Sequence, residues 1–182
     1  TRDQNAEVAA AVADGLAPSA LLIDMTTRQP GRTREIAGAL AAKGVQMVDC
    51  PVSGGVPRAK TGELAIMAGG EDAALDRAEP VLRAMGTSIH RCGGIGAGQA
   101  MKALNNLVSA GGFLIAVEAL LMGQRFGLDA GLMVDVLNAS TGMNNSTQKK
   151  MRQFVLSRRF DAGFGLDLMV KDLSIALEVG RD

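Results

Sequence analysis

Short apolar runs alternate with amphipathic stretches over the first half of the chain, which is the pattern of strands alternating with helices. Residues 20–23 form an apolar run that predicts a buried strand, residues 30–43 predict a helix, and residues 45–48 predict the next strand. A strand, a helix and a strand at this spacing indicate a right-handed crossover within a parallel sheet. The pattern also predicts a helix over 5–16, a strand over 63–68, a helix over 72–84 and a strand over 87–91.

The second half of the chain carries a purely helical pattern. No proline follows Pro80, so nothing in the remaining residues breaks a helix, and the sequence predicts an all-helical region. Residues 98–125 are apolar nearly all round, and such a helix is expected to be buried between domains or against a second subunit. Gly111 and Gly112 in its middle predict a close helix contact or a bend. Further helices are predicted over 130–138, over 146–158 and from about Leu166.

Composition narrows the classes of function. The chain has 182 residues, 47% of them hydrophobic, which is material for one domain or parts of two. Its net charge is zero, which argues against a nucleic-acid or anionic-membrane partner. Cys50 and Cys92 form no C-x-x-C pair, so no metal site or redox motif is indicated and a cytoplasmic location is the default. Gly, Glu or Arg interrupts the apolar stretches, so no membrane span is predicted.

A glycine-rich turn joins the two halves and opens the long apolar helix. Four glycines fall within positions 93–98, and Lys102 and Asn106 follow about one turn into the helix and four residues later. Side chains at i and i+4 share one helix face, and a helix N-terminus disfavours an ammonium charge. Such an amine, beside an amide that holds a hydroxyl, suits general acid–base catalysis. On position alone, a lysine near a helix start is more often a solvated surface residue. The only histidine, His90, has a strand-end position, so proton transfer is assigned to Lys102.

Three motifs carry a family resemblance. They are Asp49-Cys50-Pro51-Val52-Ser53-Gly54-Gly55, Gly96-x-Gly98-x-x-x-Lys102-x-x-x-Asn106, and Lys171-Asp172-Leu173. In this order and spacing they resemble the β-hydroxyacid dehydrogenase family, which includes 3-hydroxyisobutyrate dehydrogenase and tartronate semialdehyde reductase. The resemblance implies an α/β fold: the C-terminal part of a Rossmann-like parallel sheet domain, a long interdomain helix, and an all-α domain like the C-terminal domain of 6-phosphogluconate dehydrogenase. The domains would span 1–95 and 96–182, the second incomplete at its C-terminus.

The resemblance implies a substrate site and a catalytic pair. The family holds its substrate carboxylate at positions that match Ser53, Gly54 and Gly55, where a hydroxyl and successive backbone amides suit a carboxylate. The family's general acid/base matches Lys102, and its amide partner matches Asn106. By itself, Ser-Gly-Gly after a strand is equally a tight turn.

The resemblance further implies NAD or NADP as the cofactor, with contacts at positions matching Thr27 and Lys171. Apart from the resemblance, the sequence indicates only that Thr27 is a polar residue at a strand end and that Lys171 and Asp172 are a solvated charged pair. The G-x-G-x-x-G fingerprint of dinucleotide-binding domains does not occur at its usual place, because the family carries it before the point where this chain begins. The chain therefore resembles a piece that starts partway through the nucleotide domain.

Two functional hypotheses result. The first is an oxidoreductase that transfers a hydride between NAD(P) and a small β-hydroxy acid or its semialdehyde, with Lys102 as general acid/base, assembled as a homodimer or homotetramer. The alternative is a non-catalytic helical dimerisation or binding module of the same fold. A sugar-phosphate substrate is disfavoured, because 6-phosphogluconate dehydrogenase carries a histidine where this chain has Asn105.

Overall fold

The computed structural model describes residues 15–181. The helix predicted over 5–16 lies, except for its last two residues, outside the described residues. The described elements are β1 (Leu21–Asp24), α1 (Pro30–Ala41), β2 (Gln46–Asp49), β3 (Val52–Ser53), α2 (Gly55–Thr61), β4 (Leu64–Gly69), α3 (Asp72–Arg83), β5 (Gly86–Gly93), α4 (Ala97–Phe126), α5 (Ala130–Asn138), a π-helix (Thr147–Leu156) and α6 (Leu166–Val179). The predicted α/β fold class is confirmed, and every described element after β5 is helical.

The sheet has five strands and is mixed rather than wholly parallel. Strands β1 and β2 pair in parallel, as the strand–helix–strand pattern predicted, and β4 and β5 also pair in parallel. Strand β4, however, runs antiparallel to both β2 and β3. The reason is the short connection before β4, in which the seven-residue α2 replaces a full crossover helix.

Helices pack on both faces of this sheet, and the alternation of side chains along β2 decides which core each residue joins. Val48 is fully buried in a cluster with residues of β4 and α3, including Ile66 and Leu82. Met47, the preceding residue, belongs instead to a cluster with Leu40 of α1. This two-sided burial is typical of a doubly covered sheet.

The chain divides into two compact units, Thr1–Leu104 with Asp172–Asp182 and Asn105–Lys171. The division falls inside α4 and inside α6 rather than at residue 95, and the predicted boundary at 95 stays a prediction. The core of the second unit contains Ala116, Leu120, Val134 and Met151, which come from α4, α5 and the π-helix. In this unit Gly112 faces the loop before the π-helix, where a Cβ on it would lie 3.4 Å from Cγ of Asn144, and the predicted helix contact or bend stays a prediction.

Helix α4 exposes much of its apolar surface in the described part of the chain. Several large apolar side chains along it are exposed within this chain: Leu107, Val108, Leu114, Ile115, Leu121, Met122 and Phe126. Its 30 residues are long and apolar enough to cross a bilayer by length and composition alone, a test that core helices of soluble proteins also pass. An apolar helix surface that the described residues leave exposed is consistent with the predicted contact to a further domain or subunit, which stays a prediction.

Candidate active site

The first two turns of α4 carry the predicted catalytic pair. Lys102 is buried, with 9% of its surface exposed, although lysine is among the residues least often buried. The next residue, Ala103, is fully buried in a small cluster with Ile175 and Ala176 of α6. Because alanine is small, α6 can pack closely on α4 directly beside the lysine.

Asn106 lies four residues after Lys102 on the same continuous helix and is also buried, with 7% exposed. Its side-chain oxygen accepts a hydrogen bond of 3.1 Å from Nδ2 of Asn105. A lysine and an asparagine that are buried one turn apart on a largely apolar helix are stable there only with polar partners. Their burial argues against the reading of Lys102 as a solvated surface lysine.

The predicted carboxylate site lies where β3 turns into α2. Ser53 ends β3 and is half-buried, and Gly54 and Gly55 follow with φ of 133° and 61°. At Gly54 a Cβ would lie 2.7 Å from the Arg58 side chain, so the turn requires glycine for its dihedral angle and for space. Thr27, the predicted cofactor contact, is half-buried in the segment that joins β1 to α1.

An ion pair lies beneath this segment. Asp24 at the end of β1 accepts bonds from the backbone and hydroxyl of Thr26, at 3.1 and 2.7 Å, and pairs with Nη2 of Arg28 at 3.1 Å. Both charged side chains are buried, and Nε and Nη1 of Arg28 have no hydrogen-bond partner among residues 15–181. A buried guanidinium beside a carboxylate fixes the conformation of the segment that carries Thr27.

A carboxylate at the end of β2 holds the start of α4. Asp49, fully buried at the end of β2, accepts hydrogen bonds from the backbone N–H groups of Gly96 at 2.7 Å and Gln99 at 2.8 Å. Burial raises the pKa of Asp49, and the two N–H groups partly oppose that shift. No local signal could have shown this cap, because its partners lie 47 and 50 residues away.

Two glycines allow the first turn of α4 to pack closely against the sheet. A Cβ on Gly98 would lie 2.8 Å from the carbonyl oxygen of Asp49, and inside contact distance of the Met67 carbonyl oxygen. A Cβ on Gly69 would lie 2.8 Å from the backbone nitrogen of Gly98. The glycine-rich turn therefore lets the first turn of α4 contact the ends of β2 and β4 at backbone distance.

The predicted site residues divide between the two compact units. The first unit contains Thr27, Ser53, Gly54, Gly55 and Lys102, and the second contains Asn106 and Lys171. Lys171 is exposed on α6, whereas its neighbour Asp172 is 3% exposed, so these two residues are not a solvated charged pair. The seven functional roles stay predictions.

Comparison with known proteins places the chain in a family. Residues 2–94 match the family model for the NAD-binding domain of 6-phosphogluconate dehydrogenase. Residues 96–182 match the model described as NAD-binding of NADP-dependent 3-hydroxyisobutyrate dehydrogenase. The chain belongs to the β-hydroxyacid dehydrogenase family.

Several members of this family are similar to this chain over most of its length. The 2-(hydroxymethyl)glutarate dehydrogenase of Eubacterium barkeri is 38% identical over 89% of the chain and 54% of its own length. The 3-hydroxyisobutyrate dehydrogenase of Pseudomonas aeruginosa is 41% identical over 86% of the chain and 55% of its own length. The solved structure of Mycobacterium tuberculosis 3-hydroxyisobutyrate dehydrogenase with L-serine has a TM-score of 0.87 at 34% identity, covering 97% of this chain and 64% of that one. The chain thus spans about half the length of the curated relatives it matches.

Proposed function

We propose that the protein containing this chain is an NAD(P)-dependent oxidoreductase that transfers a hydride between the nicotinamide and a small β-hydroxy acid or its semialdehyde. Family membership supports the reaction class, since the named relatives are dehydrogenases of hydroxy acids. The observation that carries the proposal for this chain is the burial of Lys102 and Asn106 one turn apart on α4. Buried polar side chains of this kind are characteristic of functional sites.

The residues at the carboxyl ends of β1 and β2 fit the nicotinamide end of a dinucleotide. Open α/β sheets bind nucleotides at this edge, and here β1 and β2 are parallel, with Thr26 and Thr27 following β1. Thr27 would contact the cofactor from the segment that Asp24 and Arg28 hold in place. Lys171, exposed on α6, would supply a cation to the cofactor. When bound, NAD(P) supplies a nicotinamide ring that accepts or donates the hydride.

Residues of this chain would bind the substrate carboxylate and transfer the proton. The Ser53 hydroxyl and the N–H groups of Gly54 and Gly55 would donate hydrogen bonds to the substrate carboxylate. The Asn106 side chain would hold the substrate hydroxyl against Lys102. During oxidation the neutral amine of Lys102 takes the hydroxyl proton as the C–H bond gives up its hydride, and during reduction the ammonium returns that proton to the carbonyl oxygen.

The experiment is an absorbance assay of nicotinamide reduction in the full-length protein, with NAD or NADP and a panel of 3-hydroxy acids and semialdehydes. Lys102→Ala should lower kcat by about 10²- to 10⁴-fold, the usual contribution of a general acid/base, while nucleotide affinity is unchanged. The matched control is Lys149→Ala, which removes an exposed lysine on the π-helix and should leave turnover unchanged. Full turnover by the Lys102→Ala variant would contradict the assignment.

The alternative is a non-catalytic helical dimerisation or binding module. The exposed apolar side chains of α4 favour it, because they suit association with another helix. The absorbance assay distinguishes the enzyme from the non-catalytic module. If the protein binds nucleotide but neither oxidises nor reduces any member of the panel, the module hypothesis is correct. For the enzyme we propose a homodimer or homotetramer, which light scattering of the full-length protein would test.

A further inference from the structure

Gln99 is a fully buried amide whose hydrogen bonds surround the predicted cofactor residue. Its Nε2 donates to the carbonyl oxygen of Thr26 at 2.8 Å, and its Oε1 accepts from the backbone N–H of Arg28 at 3.0 Å. The residue between these two partners is Thr27. One side chain of α4 therefore holds the backbone on both sides of Thr27, across 71 to 73 residues of sequence.

The helix that carries Gln99 is itself fixed to the sheet. The backbone N–H of Gln99 donates to Oδ2 of Asp49, which ends β2, and Gly98 packs against the backbone of β4. Lys102 follows Gln99 by three residues, which is about 4.5 Å along the helix axis at 1.5 Å per residue. The start of α4 thus holds the Thr27 segment through Gln99 and also carries Lys102.

We propose that Gln99 is a positioning residue for hydride transfer: it sets the Thr27 segment, and with it the nicotinamide, in register with the helix that carries Lys102. The inference rests on the proposed function of Thr27 and Lys102. Gln99 has no exposed surface and its amide makes two hydrogen bonds to backbone, so it acts through Thr27 rather than on the substrate. Reactions that need close alignment of two groups lose about 10²-fold for a misplacement of about 1 Å.

The test uses Gln99→Met, which keeps the length and approximate volume of the side chain but removes both hydrogen bonds. In the full-length protein, kcat should fall by about 10- to 100-fold, while the pH profile of kcat keeps its shape because the amine of Lys102 is unchanged. A deuterium at the transferred position should slow the variant more than the wild type, because hydride transfer becomes rate-limiting. Gln99→Asn, which retains the amide on a shorter stem, should lie between the two and serves if the Met variant does not fold.

A matched control separates positioning from a general loss of stability. Leu82→Ala removes a fully buried core side chain of α3 that takes no part in the Gln99 hydrogen bonds, and it should lower stability without the change in kcat or isotope effect. If Gln99→Met and Leu82→Ala lower stability and leave kcat equally intact, Gln99 is only structural and the inference is overturned.

A second readout does not depend on activity. Removing the Gln99 acceptor should speed hydrogen exchange at the Arg28 amide by at least about tenfold, the effect of losing one hydrogen bond, while amides inside β4 exchange as before. Unchanged exchange at Arg28 would overturn the inference even in a protein without turnover. If Arg28 exchange responds but the wild type oxidises no substrate, the proposed function fails and the structural link between Gln99 and the Thr27 segment stands.

Discussion

Replacing Gly98 with alanine should weaken the fold at the joint between α4 and the sheet. The added Cβ would lie 2.8 Å from the carbonyl oxygen of Asp49 and 2.9 Å from its Oδ2, and would also press on the Met67 carbonyl oxygen. Two of these three atoms are backbone, so the first turn of α4 must move away. That movement stretches the bonds from Gly96 and Gln99 to the Asp49 carboxylate.

The magnitude follows from two costs. Overpacking a closed site costs about 1–3 kcal/mol, and losing one hydrogen bond to a charged group costs about 1.5–3 kcal/mol. Together they predict that Gly98→Ala lowers the free energy of unfolding by about 2.5–6 kcal/mol. Urea denaturation of the full-length protein, followed by circular dichroism, measures this as a lower midpoint at unchanged slope.

Gly111→Ala is the matched control on the same helix. A Cβ at Gly111 meets nothing within 4 Å, so the substitution should raise stability by about 1 kcal/mol through helix propensity alone. Equal midpoints for the Gly98 and Gly111 variants would refute the claim that the glycine-rich turn permits close contact with the sheet.

Three further predictions concern single side chains. Ser53→Ala should raise KM for the acid by about 10- to 100-fold through one lost hydrogen bond to a carboxylate and leave nucleotide affinity unchanged; equal affinity for the acid in both proteins would contradict the carboxylate site. Native Cys50 should resist iodoacetamide at pH 8, since burial raises its pKa to about 12, while half-exposed Cys92 reacts first; mass spectrometry of the labelled peptides decides the order. Asp129→Ala should cost about 1 kcal/mol in thermal unfolding, because its side chain caps α5 through the N–H of Leu132 at 2.8 Å, and an unchanged Tm would show that the cap is not formed.

Local pattern predicted the longer elements, but it did not predict α2, β3 or the direction of β4. The apolar runs and helical periodicities predicted every described strand from β1 to β5 except the two-residue β3, and they predicted the helical second half. The antiparallel direction of β4 could not be predicted from the sequence pattern, because periodicity shows which side chains are buried and not which way a strand runs. The apolar surface of α4 predicts cover by a further domain or a second subunit, and periodicity alone does not say which of the two it is.

The supporting residues of the site were harder to predict than its reactive ones. All four residues fall within the short motifs, but the roles of Asp49 and Gln99 depend on partners about 50 and 70 residues away. A carboxylate or an amide in such a position looks like any polar residue until the fold brings its partners close. The start of the π-helix differs, because its cap is local: the side-chain oxygen of Asn144 accepts hydrogen bonds from the N–H groups of Ser146 and Thr147.

The central claim is that the amine of Lys102 transfers the proton, and amine rescue tests it most directly. The measurement is kcat of Lys102→Ala in the full-length protein as primary amines of graded basicity are added. We predict very slow turnover without amine and saturable recovery with it, at rates that follow the basicity of the added amine. Turnover at the wild-type rate without any added amine would contradict the claim.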